Sequence, residues 1–337
     1  MPSWGEILKQ IDSAGTKEPE IYDKVRREYI QKLAQHTKRN VILYATKWTI
    51  SPLPENLEAL SICEEDIEAF MEVFYGLDNS GLDIILHSPG GSAEAAEAIV
   101  KYIRKKFPDS VRVIVPHAAM SAATMIACSA NEIFMGKHSF LGPIDPQLIL
   151  PIPIGITAVP RMVPAQAILD QFKLAQEECK DPEKVGSWYP ILPIYGPALI
   201  QECKIAKSLS KKLVKEWIEQ YMLVQEPDRT KKAEAISEYL LNHNEHLSHE
   251  RHIDRDTAER IGLKIGKLES DPDFQDLVLS VYHATSITFF STPAIKLIEN
   301  HMGRAYCKQE MRISMAVPTQ KPDPSQSEPL HRRKRRH

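Results

Sequence analysis

Between residues 82 and 135 the sequence switches repeatedly between two hydrophobic patterns, and this alternation narrows the possible folds more than any other feature. Leu82–His87, Val111–Val115 and Glu132–Met135 are short apolar runs of strand length. Between the first two, residues 93–107 place Ala95, Ala96, Ile99, Tyr102, Ile103 and Phe107 on one helical stripe, with Ser92 in position to cap it. Residues 118–130 are mostly small and predict a tightly packed helix. Strand, helix, strand, helix, strand over so short a span favours parallel strands joined by helical crossovers. A preceding strand over Asn40–Thr46 and a helix over 64–76 extend the pattern. The predicted class is α/β.

The flanks are mainly helical. Residues 4–36 predict two helices, and further helices are expected over 164–180, 196–222 and 230–242. Prolines 146, 151, 153 and 160 exclude a helix over 143–160 and leave an extended loop or edge hairpin. Residues 251–265 predict a strand, a capped helix and an exit strand, and 273–302 predict two more helices. From 304 the sequence turns to Pro, Ser and Lys and is expected to be disordered. The expected organisation is an N-terminal helical segment 1–37, a catalytic core 38–270, C-terminal helices 271–303 and a basic tail 304–337.

Charge and composition exclude several classes. The 42 Lys and Arg against 45 Asp and Glu give a net charge of -3, which offers no general attraction for nucleic acid. The exception is the final run His331–His337, read as a solvated tail. Five scattered cysteines without a CxxC pair fit a reducing compartment. The first twenty residues lack the apolar centre of a secretory signal. Leu277–Ile295 carries no Lys, Arg, Asp or Glu, yet Ser280, His283, Thr285, Ser286, Thr288 and Pro293 make it too polar for a membrane span; it predicts a buried or amphipathic helix. The expectation is a cytoplasmic protein without a transmembrane span. No HExxH or paired-ligand spacing is present, so neither a metal nor another cofactor is expected.

Two strand-to-helix junctions carry the chemistry. At His87-Ser88-Pro89-Gly90-Gly91-Ser92, glycines let the backbone approach a ligand and free N–H groups open toward negative charge. At Pro116–Ala127, Ser121 stands among alanines at a helix start, with the Ala122 N–H beside it. Neighbouring parallel strands would bring hydroxyl and N–H donors around one carbonyl, the arrangement acyl transfer requires.

These junctions resemble the ClpP/crotonase superfold, whose ββα units repeat in a superhelix. Arg39–Tyr44, Leu86–Gly91, Leu141–Gln147 and Ile298–His301 more closely resemble the so-called serine dehydrogenase proteinase family, relatives of the signal peptide peptidases. The resemblance spans roughly residues 20–303 and implies a peptidase, not a dehydrogenase. It implies Ser121 as nucleophile and the N–H groups of Gly91 and Ala122 as oxyanion donors, with Gly90 beside them. Met120 stands where a glycine often precedes the serine.

The base departs from the family patterns. The place of the Clp histidine falls in Gly142–Asp145, and the place of the Clp acid falls near Glu250, between His249 and His252. The place of the signal peptide peptidase lysine offers Arg161, which stays protonated and suits anion binding, with Lys173 one helix later. Lys137, His138 and Lys173 are the candidate bases; Asp145 is a candidate to orient one or to contact substrate; His117 is a candidate to line the site. A crotonase-like thioester enzyme and a catalytically silent scaffold are the alternatives. The expected partners are a peptide or protein substrate and further copies of the chain in a homo-oligomer.

Overall fold

The computed structural model describes residues 3–13, 20–154 and 157–310, so the basic run 331–337 lies outside the described residues. Helices α1 (Trp4–Ser13) and α2 (Ile21–Thr37) lead into β1 (Asn40–Thr46), α3 (Asp66–Phe74), β2 (Leu82–His87), α4 (Ala93–Lys106) and β3 (Val111–Val115). Next come β4 (Ala118–Ala119), α5 (Ala122–Cys128), β5 (Glu132–Met135), β6 (Phe140–Leu141), β7 (Gln147–Ile154) and β8 (Thr157–Pro164). Helices α6 (Ala165–Glu178), α7 (Pro182–Trp188), α8 (Leu199–Trp217), α9 (Arg229–Leu241) and α10 (His243–His246) follow. The described chain closes with β9 (Ile253–Asp254), α11 (Arg255–Arg260), β10 (Ile265–Lys267), α12 (Pro272–Ser291), β11 (Ala294–Asn300) and β12 (Ala305–Gln309).

The main sheet runs β10-β5-β3-β2-β1-β11-β12. Its first five strands are mutually parallel, and β11 and β12 complete it antiparallel. One face packs against α1, α2 and α12; the other packs against α3, α4, α5, α8 and α9. Every residue of β1 and β2 is buried. That two-sided burial is why these strands carry the consecutive apolar residues Val41–Ala45 and Ile84–Leu86, without a polar residue at every second place. Ser92 caps α4 as predicted, its Oγ accepting the Ala95 N–H at 3.1 Å. A second, three-stranded sheet, β4-β6-β9, lies at the exit of the main one, and β7 and β8 form a hairpin, one of the two forms expected for 143–160. Among the described residues no helix is long and apolar enough to cross a membrane, and all five cysteines are free.

Three elements differ from the sequence reading. The helix expected over 118–130 begins only at Ala122, because Ala118 and Ala119 pair with Phe140 and Leu141 as a short strand. The second helix expected within 273–302 is instead the strand β11, antiparallel to β1 and buried along its whole length. Thr292 and Pro293 end α12. The polar residues that follow, Lys296 and Glu299, stand three apart and imitate a solvated helical face, but both are fully buried and paired. Lys296 Nζ donates to Asp66 Oδ1 and to the Ser61 carbonyl, each at 2.8 Å. Glu299 accepts from Arg26 Nη2 at 3.1 Å and from Arg26 Nε. Finally, β12 occupies residues expected to be disordered, pairing with the outer edge of β11.

Candidate active site

β2 and β3 lie side by side and end at the same edge of the sheet. The two junctions are then stitched together. The Ser88 N–H donates to the Ala118 carbonyl at 3.2 Å, and the Ser88 carbonyl accepts the Met120 N–H at 3.0 Å. Loop 88–92 therefore runs beside the segment that ends at Ser121. The fit requires glycine: Gly90 has φ +100°, and a Cβ there would lie 2.6 Å from the Met120 carbonyl oxygen and 2.7 Å from Ser121 Cβ. On its other side the loop is clamped by Ile62, which donates to the Gly90 carbonyl at 2.7 Å and accepts from the Ser92 N–H at 3.0 Å. These bonds use the residues flanking Gly91 and leave its own N–H outside the bridge.

Ser121 has φ +51° and ψ −120°, a conformation that residues with a side chain rarely adopt. It occupies the capping position of α5, yet its Oγ makes no capping bond. Among the described residues neither Ser121 Oγ nor the N–H groups of Gly91 and Ala122 has a hydrogen-bond partner. Met120 fills the place of the missing glycine, and the space is recovered on the neighbouring strand. A Cβ on Gly142 would come within 2.7 Å of Met120 Cε and 3.1 Å of Met120 Cα. The Gly142 N–H also donates to Thr124 Oγ1 at 3.0 Å, fastening the exit of β6 to α5.

The other predicted residues are dispersed. Lys137 and His138 are exposed on the turn between β5 and β6; the Lys137 N–H donates to Glu269 Oε1 at 2.8 Å, and the His138 ring lies over Gly136. Lys173 is exposed on α6, and Arg161 is exposed on β8 opposite Leu150. None of the four forms a hydrogen bond with Ser121. His117 stacks on His87, and its Nδ1 shares a hydrogen bond with the Tyr282 hydroxyl at 2.9 Å. Asp145, by contrast, is 1% exposed and held from both sides. His249 Nδ1 meets its Oδ1 at 2.7 Å and His243 Nδ1 meets its Oδ2 at 2.9 Å. His243 escaped the sequence reading. The available signal was histidine at every third place, His243, His246, His249 and His252.

His87, just before the glycine loop, is also buried. Its Nδ1 lies 3.1 Å from the Ala118 carbonyl, which can only accept, so the proton sits on Nδ1 and Thr49 Oγ1 donates to Nε2 at 3.1 Å. Burial, reinforced by neighbouring His117, lowers its pKa to about 3.

The parallel sheet thus has adjoining strands that deliver a glycine loop and a serine at a strained helix start. Residues 20–178 match the family of ClpP-like SDH-type serine proteinases. Two uncharacterised proteins of Methanocaldococcus jannaschii are similar over shorter stretches. MJ0137 is 51% identical over 67 residues, 20% of this chain and 23% of that one. MJ1495 is 37% identical over 100 residues, 30% of each chain. The matches thus span under a third of these relatives. Among solved structures, a mutant of the 1510-N membrane-bound stomatin-specific protease is similar at a TM-score of 0.33 and 16% identity, covering 61% of this chain and 74% of that one.

Proposed function

We propose that this chain is a serine peptidase that hydrolyses peptide bonds through an acyl-enzyme on Ser121. The observation that carries this reading is the strained Ser121 itself. Its hydroxyl is unbonded among the described residues, Gly90 abuts its Cβ, and the N–H groups of Gly91 and Ala122 have no acceptor among those residues. Backbone strain of this kind costs on the order of 1–3 kcal/mol and persists where the surroundings impose it. Here Gly90 on one side and the β4–β6 pairing on the other impose it. The family match over residues 20–178 supports the same chemistry.

In this reading the substrate carbonyl enters between the glycine loop and α5. Ser121 Oγ attacks the carbonyl carbon, and the N–H groups of Gly91 and Ala122 hold the oxygen as it gains charge. Fixed donors of this kind are worth about 10²–10³ in kcat each. Gly90 keeps the loop close enough for both donors to reach one oxygen. A Ser121→Ala protein is expected to lose hydrolysis of a fluorogenic peptide and labelling by a fluorophosphonate while keeping its thermal unfolding profile. Wild-type hydrolysis by that variant would refute the reading.

A further inference from the structure

We propose that the buried pair Lys296 and Asp66 positions the oxyanion hole, keeping the Gly91 N–H on target through the strap of residues 61–63; this rests on Ser121 being the nucleophile and Gly91 a donor. The strap runs from the short helix Leu57–Leu60 to α3, which begins at Asp66. Its midpoint, Ile62, is 1% exposed. The Ile62 N–H donates to the Gly90 carbonyl at 2.7 Å, and the Ile62 carbonyl accepts the Ser92 N–H at 3.0 Å. These two bonds form one parallel bridge centred on Gly91. In such a bridge Ile62 supplies both bonds and Gly91 none, so the Gly91 N–H faces the other way. A Cβ on Gly91 would lie 2.9 Å from Ile62 Cα, so the two backbones are in contact. A shift of Ile62 therefore moves the oxyanion donor with it.

Ile62 is itself fixed from behind. In extended backbone the polar groups of successive residues point to opposite sides. Those of Ile62 face the glycine loop, and the Ser61 carbonyl and Cys63 N–H face the ion pair. Lys296 Nζ donates to the Ser61 carbonyl at 2.8 Å, and the Cys63 N–H donates to Asp66 Oδ2 at 3.1 Å. Lys296 Nζ also meets Asp66 Oδ1 at 2.8 Å, and the Tyr44 hydroxyl donates to Asp66 Oδ2 at 2.7 Å. An ammonium and a carboxylate thus take the place of a further strand along the outer edge of the strap. Charge-assisted bonds away from water hold geometry tightly, and here they tie the strap to β1, α3 and β11 together. Stability alone accounts poorly for such a pair, because apolar residues of similar volume often serve a fold as well or better. Aim accounts for it, because a fixed donor stabilises an oxyanion only when directed at the developing charge. The other buried pair of β11, Glu299 with Arg26, joins the opposite face of the sheet to α2 and provides a matched comparison.

The full chain carrying Lys296→Met with Asp66→Asn would be compared with the matched double Arg26→Met with Glu299→Gln and with Ser121→Ala, folding being checked by circular dichroism. The Lys296 and Asp66 double is expected to lower kcat on a fluorogenic peptide about 10–10²-fold at nearly unchanged KM, part of what one fixed donor supplies. A peptide aldehyde of the same sequence, whose hemiacetal with serine places its oxygen in the hole, is expected to lose affinity by the factor that kcat/KM loses. Adding Asp66→Asn to Lys296→Met recovers stability without recovering kcat, which separates positioning from folding. The matched double is expected to keep kcat within about twofold. Should the Lys296 and Asp66 double not fold, Tyr44→Phe carries the test: it removes one hydroxyl from Asp66 and is expected to lower kcat about fivefold at constant KM. Wild-type kcat in the folded double, or in Tyr44→Phe where that carries the test, overturns the inference. So does an equal fall in the matched double, or unchanged aldehyde affinity. Wild-type hydrolysis by Ser121→Ala would instead bring down the serine-peptidase reading itself.

Discussion

His87 gives a prediction whose size follows from its surroundings. In the fold it is neutral, with Nδ1 donating to the Ala118 carbonyl and Nε2 accepting from Thr49. Burial beside His117 lowers its pKa from the usual 6.5 to about 3. The unfolded chain binds a proton on this ring below about pH 6.5, and the folded chain does so only near pH 3. Stability from this group is therefore complete above 6.5 and falls as the pH drops, by about 1.4 kcal/mol per pH unit until the folded value is reached. At roughly pH 4.5 the loss amounts to about 3 kcal/mol, a large share of a typical domain's stability. Burial also lowers His117, His246, His283 and His301, so the wild-type acid limb is steeper than one group would make it. The contribution of His87 is isolated by difference. A His87→Gln chain, which cannot take up this proton, is expected to be less stable than wild type near pH 7 and to lose about 3 kcal/mol less between pH 7 and 4.5 by urea unfolding. Parallel pH profiles for the two proteins would refute the reasoning.

Two further substitutions probe the surroundings of the site. Gly90→Ala puts a methyl group 2.6 Å from the Met120 carbonyl oxygen at a backbone angle suited to glycine. It is expected to cost about 2–5 kcal/mol of stability, with a still larger fall in fluorophosphonate labelling of Ser121, measured by urea unfolding and labelling rate. Lys296→Met leaves Asp66 buried without its cation and is expected to destabilise by about 3–5 kcal/mol. Adding Asp66→Asn to that variant should recover part of the loss, and two thermal melts decide whether it does.

What the sequence disclosed, and what it withheld, follows the range of the interactions. β1, β2, β3 and β5 were legible to their boundaries as short apolar runs, which in β1 and β2 reflect burial on both faces. The glycine loop and Ser121 were legible because each sits where such a run meets small residues. β11 was not, because Lys296 and Glu299 look solvated until Asp66 and Arg26, 230 and 273 residues away, are brought to them. Ala118 and Ala119 favour helix on local grounds, and only pairing with Phe140 and Leu141 makes them a strand. The clamp on Asp145 was partly hidden for the same reason. His243 and His249 lie 98 and 104 residues from the carboxylate they hold, and no local spacing links the three.

The placement of β11 also bears on how the chain reaches its native state. β1 is the outermost of the parallel strands on its side of the sheet, and the cover of its edge comes from residues more than 250 positions later, Asn300 on Ile42. During synthesis β1 can pair with β2 early, but its other edge stays open until the final strands emerge. Arg26 and Asp66 likewise wait for Glu299 and Lys296. Contacts of such long range slow folding, and a half-built sheet with an unpaired edge is prone to aggregate. A ribosome-bound chain stopped before Ala294 would therefore hold the serine loop and its glycine neighbour on an unfinished sheet, and the last step of folding closes the molecule behind the site.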